Sequence, residues 1–159
     1  MIGYVPMKLR LRSAARLGSA AFCFLALCTC LAAQAGEIKF QALLVWATNA
    51  ENSPDPKQKP VDAEVRKKLE ELPLKWARYF EVNRKPFSLV KGDSKQITLS
   101  DECKIDVKDV NGKDFEVSLI GKGKPVLKRT QALPKGEMLV LGGPAPDSTG
   151  WLVVLKRLD

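Results

Sequence analysis

Apolar residues recur along this chain at two spacings, and the change from one to the other marks out its elements. Ile38, Phe40, Ala42, Leu44 and Trp46 alternate with Lys39 and Gln41, which predicts a strand over Glu37 to Ala47. Leu43 and Val45 make its second half apolar on both faces, as in an inner strand. Asn49 to Pro60 holds three prolines among short polar residues and predicts an exposed loop. Next, Val61, Val65, Leu69 and Leu72 recur at helical steps behind Asp62, a residue suited to cap a helix. Glu64 stands four residues before Lys68, a spacing that supports a helix, and Pro73 ends the pattern. The apolar stripe is narrow, so this helix is expected to lie across a sheet.

From Trp76 onward the period is two. Strands are expected at Trp76 to Val82, at Phe87 to Val90 after Pro86, and at Gln96 to Leu99 after a Lys91-Gly92-Asp93 turn. Cys103, Ile105 and Val107 alternate with Lys104, Asp106 and Lys108, and Asn111-Gly112 signals a hairpin returning through Phe115, Val117 and Leu119. Gly121 to Pro125 turns the chain into Val126 to Gln131, and Leu133 to Gly136 turns it again. A last hairpin joins Glu137–Leu141 to Trp151–Arg157 across a long loop from Gly142 to Gly150, with both strands apolar enough to be central. The expected fold class is mainly β, an antiparallel β-sandwich or partly open barrel of about eight strands with one short helix.

The first 35 residues change the chemical picture. Lys8, Arg10, Arg12 and Arg16 precede an apolar run from Leu17 to Ala33, and Ala33-Gln34-Ala35 offers small residues where a signal peptidase reads them. The pattern predicts a cleaved export signal over 1–35, a single domain over 36–159, and a periplasmic or secreted location. Lipidation at Cys28 or Cys30 fits the flanking residues poorly. Retention as a membrane anchor is opposed by the cleavage site, so no stable membrane span is expected after cleavage. The whole chain carries 26 Lys+Arg against 18 Asp+Glu, a net +8. Four of the basic residues lie in the signal, leaving 22 against 18, or +4. Cys23, Cys28 and Cys30 leave with the signal, so Cys103 has no partner for an internal disulfide.

The chain contains no histidine, which removes the usual general base and the commonest zinc ligand. Ser94-Lys95, or Ser88 with Lys91, could be read as a Ser-Lys pair, but lysines are abundant enough to give such pairs by chance. Cys103 shares the inward phase of Ile105 and Val107, as a small core residue would. The carboxylates fall as Glu51/Asp55, Asp101/Glu102 and Asp106/Asp109/Asp114, and Asp109 to Asp114 lacks the later glutamate of a calcium loop. Gly121-Lys122-Gly123-Lys124 matches no phosphate-binding loop. No metal, no cofactor and no catalytic residue is expected.

The candidate contacts are therefore surfaces. One is a basic hairpin of Lys122, Lys124, Lys128 and Arg129, which could hold an anionic polymer such as lipopolysaccharide or nucleic acid, or could be a solvated edge whose lysines prevent self-pairing. The modest, interspersed charge favours the second, and no nucleic-acid partner is expected. Others are the aromatic set Trp76, Tyr79 and Phe80 and the loop from Gly143 to Gly150.

The segments LEELPLKWARYFEV, ITLSDECKIDV, VSLIGKGKPVLKRTQ and MLVLGGPAPDSTGWLVVLKR resemble those of small exported bacterial proteins of uncharacterised role. These share a short helix running into an aromatic strand and end in a Gly-Gly hairpin. The resemblance implies an envelope location in a Gram-negative-type cell and assigns no residue a role. A non-enzymatic binding module of the envelope, acting on an envelope protein partner, is the function expected, with a hydrolase lacking histidine as the rival of a different class.

Overall fold

A computed structural model describes residues 36–159; the export signal read in 1–35 lies outside the described residues. Along the chain come β1 (Glu37–Thr48), β2 (Lys59–Pro60), α1 (Ala63–Glu70), β3 (Arg78–Val90), β4 (Ser94–Thr98), β5 (Cys103–Asp109), β6 (Asp114–Gly121), β7 (Lys124–Ala132), β8 (Met138–Pro144) and β9 (Gly150–Arg157). They form a five-stranded sheet in the order β2-β3-β1-β9-β8 and a four-stranded sheet in the order β4-β5-β6-β7. Every pairing is antiparallel and neither sheet closes on itself. The expected mainly β sandwich with one short helix is the fold observed. Among the described residues no helix is long and apolar enough to cross a membrane.

Three layers follow from β1, whose second half is apolar on both sides. Ile38, Phe40, Ala42 and Leu44 face the second sheet, where they meet Ile105, Val107, Phe115, Val117 and Leu119. Leu43, Val45 and Ala47 face the other way and lie under Val61, Val65 and Leu69 of the helical segment. Phe40 is fully buried, stacked on Phe87 at 5.3 Å and edge-on to Phe115 at 5.1 Å, so one ring ties both sheets. The helix is set by its cap: Asp62 accepts a hydrogen bond from the Val65 amide at 2.9 Å.

Several elements differ from the sequence pattern for identifiable reasons. The stretches on either side of Pro86 are one strand, because β3 pairs with β1 without interruption from Leu89 past Pro86 to Asn83. β2 covers only Phe80 and Glu81, so β3 is an edge beyond it, where a proline removes no partner's bond. β2 itself lies inside the expected loop and raises the strand count to nine. Glu64 and Lys68 do not pair along the helix: Glu64 reaches Lys156 in β9 and Lys68 reaches Glu137, while Arg66 and Glu70 form the pair at that spacing. β8 is an edge strand and only β9 is central, and their pairing runs on to Pro144 and Gly150, so the connecting loop shrinks to Ala145–Thr149.

One buried charge joins two turns. Asp109 is 2 % exposed, and its carboxylate accepts from the Gly92 amide at 2.6 Å and the Gly112 amide at 2.5 Å. It thus holds the β3–β4 connection against the β5–β6 hairpin. The Asn111-Gly112 hairpin forms where expected, but as a wider loop. Asn111 turns its side chain back to accept from Lys113 and Asp114, and only Gly112 has the positive φ, at 80°. Asp109→Ala should lower unfolding free energy by about 2–4 kcal/mol, the cost of two amides losing a charged acceptor; an unchanged urea midpoint would contradict this role.

Candidate interaction surface

The two edges of the sandwich are built differently. On one side β3 and β4 are fastened together: the Asn83 side chain donates to Leu99 O at 2.6 Å, and Lys95 Nζ donates to Ser88 O at 3.2 Å. On the other side β8 ends one sheet and β7 ends the other. At the base of that side Arg157 donates to Leu133 O at 3.1 Å and lies over the Phe115 ring at 5.4 Å.

β7 is exposed through almost all of its nine residues. Val126 is 63 % and Leu127 42 % exposed, and they are among the most exposed large apolar side chains described. Cross-strand pairing sets their faces. Leu127 lies opposite Leu119 and Arg129 opposite Val117, on the core side, whereas Lys128 lies opposite Ser118 on the outer side. β7 therefore presents core-side residues beyond the reach of the first sheet. The backbone phase is also set, because the Leu133 amide bonds to Lys113 O at 3.0 Å. Alternate residues of an antiparallel ladder turn their amides and carbonyls away from the partner. Counting back from Leu133, the residues that turn theirs to the open edge are Ala132, Thr130 and Lys128. A tight turn holds this strand, with Lys122 at φ 49° and Gly123 at φ 75°, the signs a two-residue hairpin turn requires.

The structure divides the expected basic cluster. Lys122 sits in the turn, Lys124 and Arg129 share the core-side phase, and Lys128 projects on the outer face, 2.9 Å from Glu116. Among the described residues Lys122, Lys124 and Arg129 have no carboxylate within ion-pair distance.

The aromatic set is not an exposed surface. Tyr79 and Phe80 are buried, and the Tyr79 hydroxyl donates to Trp76 O at 2.9 Å. Trp76 donates from Nε1 to Ser148 O at 2.9 Å, and its ring lies over Gly150, where an added Cβ would come within 2.5 Å of it. Trp76, half-buried, thus fixes the Ala145–Thr149 loop.

Other candidate groups are occupied locally. Ser94 and Lys95 are neighbours on one strand and so point to opposite faces. Asp106 accepts from Gln96, Asp114 from Asn111, and Asp147 from Thr149. Among the described residues no group of three Cys, Asp or Glu side chains is arranged to hold a metal. An open cavity of about 460 Å³ lies beside the 49–60 segment, where Glu51, Asp55, Arg66 and Arg78 line it with mixed charge. Arg84 forms the densest polar cluster, bonding Glu81, Gln41 Oε1 at 2.8 Å and the capping Asp62 at 2.8 Å. The hydrogen bonds it donates to Glu81, ahead of the one to Asp62, hold its guanidinium above its ordinary value.

Comparison with known protein families, with curated proteins and with solved structures finds no match to this chain.

Two outcomes follow from the titrating groups. Burial pushes the Asp62 carboxyl up, but the bonds from Arg84 and the Val65 amide outweigh it, and the net shift is downward. A depressed folded value contributes stability above the unfolded value, near pH 4, that is lost as pH falls through the folded one. Stability of the native protein should therefore fall more steeply below about pH 4 than that of Asp62→Asn; parallel acid unfolding curves would contradict this. Cys103 is half-buried against the core, and burial pushes its thiol up. Iodoacetamide at pH 7.5 should label it far more slowly in the folded protein than in urea, as mass spectrometry would show.

Proposed function

We propose that the protein is an exported, non-enzymatic interaction module of the bacterial cell envelope, and that it binds a protein partner by accepting an extended strand along β7. The observation that carries this is the exposure of β7 on both faces, with Val126 and Leu127 in solvent, next to an edge whose amides and carbonyls have no sheet neighbour. A strand added there would bond to Lys128, Thr130 and Ala132 through the backbone and cover the two apolar side chains. The rigid sheet behind β7 means that little ordering accompanies binding, which favours affinity from a short contact.

The basic start, apolar run and Ala33-Gln34-Ala35 site support export, and the absence of histidine from the whole sequence supports a role without acid–base chemistry. The fixed Ala145–Thr149 loop and the buried Tyr79 and Phe80 favour β7 as the surface for recognition.

Thr130→Pro removes one outward amide without touching the ladder to β6, and prolines are tolerated at sheet edges. In cells treated with a short crosslinker, Thr130→Pro should reduce the protein's specific crosslinked species by about tenfold while leaving its unfolding midpoint unchanged. Val126→Lys, which alters no backbone group, should act in the same direction. Crosslinking at native levels in both variants would sink the proposal.

A further inference from the structure

We infer that the strand accepted by β7 is an extended acidic segment of another protein, with carboxylates on both of its faces beside apolar and β-branched residues; this rests on the proposal that β7 is the binding edge. The charge of the edge selects the partner. β7 carries Lys124, Lys128 and Arg129 and no acidic residue, and Lys122 stands in the turn before it. Glu116 offsets only Lys128, so the core-side Lys124 and Arg129 and the turn Lys122 keep their charge exposed.

That pattern argues against a second copy of this chain. Homotypic pairing would set side by side two strands that each bear Lys124, Lys128 and Arg129. Like charges across a strand pair are destabilising, and edge lysines are a common device against self-association. The same residues attract a strand of opposite sign. An incoming strand has two faces. On the core side its residues meet Leu127 and Arg129, which asks for an apolar residue and a carboxylate two positions apart. On the outer side they meet Lys128 and Thr130, which suits a carboxylate and a hydroxyl or β-branched residue. Apolar residues on the core-side face also extend the sandwich interior past Leu127 and cover it.

The probes are two labelled peptides of ten residues, one built on the order Thr-Glu-Glu-Val so that both faces carry carboxylates, the other with Lys in place of every Glu. Fluorescence anisotropy against the purified protein should show the acidic peptide binding about tenfold tighter at low salt, the effect of two or three cross-strand charge pairs. The difference should shrink as ionic strength rises. The double variant Lys124→Glu/Arg129→Glu should reverse the preference, and Thr130→Pro should abolish binding of both peptides. Equal binding of the two peptides would overturn the charge selection while leaving the binding edge in place. Acidic binding that survives Thr130→Pro, or no binding of either peptide, would overturn strand addition by an acidic segment. A concentration-dependent dimer in sedimentation, lost in Thr130→Pro, would overturn it in favour of a second copy.

Discussion

The second half of β1 has no polar face, and the architecture follows from that. A strand that alternates can leave one side to water, but Leu43, Val45 and Ala47 stand opposite Phe40, Ala42 and Leu44, so both sides need cover. The second sheet supplies one cover and α1 the other. This explains why a chain so rich in strands keeps a helix at all. The helix needs only Val65 and Leu69 buried, with Val61 just before it, and Asp62 aims it. Arg84 then ties the cap to β3, so the strand that flanks β1 also fixes the lid above it.

Much of this was legible from residue order. Period-two alternation locates the strands, the four- and three-residue steps locate the helix, and Asp62 stands where a cap is needed. What could not be read was which strand lies beside which. Pro86 looked like a break because a lone strand gains nothing from passing through it. Only pairing with β1 along its whole length makes the two halves one element. β8 looked central because Leu139 and Leu141 face the sandwich and Met138 faces the helix, and an edge strand with both faces covered has the same composition as an inner one. The aromatic residues looked available for contact because sequence gives no sign of the Tyr79–Trp76 and Trp76–Ser148 bonds that turn them inward.

The exposure of β7 left a faint trace. After Leu127 the expected core-side positions are Arg129 and Gln131, so the apolar alternation stops halfway along the strand. A strand that loses its apolar phase while keeping its pairing has left the core. The asymmetry between a β3–β4 side fastened by Asn83 and Lys95 and a β7–β8 side joined at its base by Arg157 gives that loss a direction.

The position of β1 also governs when the domain can form. Its two neighbours are β3 and β9, and Phe40 is opposite both Phe87 and Arg157. One side of the central strand thus stays without a partner until β9 arrives. Completing the first sheet therefore waits for contacts between segments far apart in sequence, which makes it slow. In that interval β1 is an unpaired hydrophobic strand, open to aggregation unless another factor shields it. The most vulnerable moment of such a chain is the one just before β9 docks.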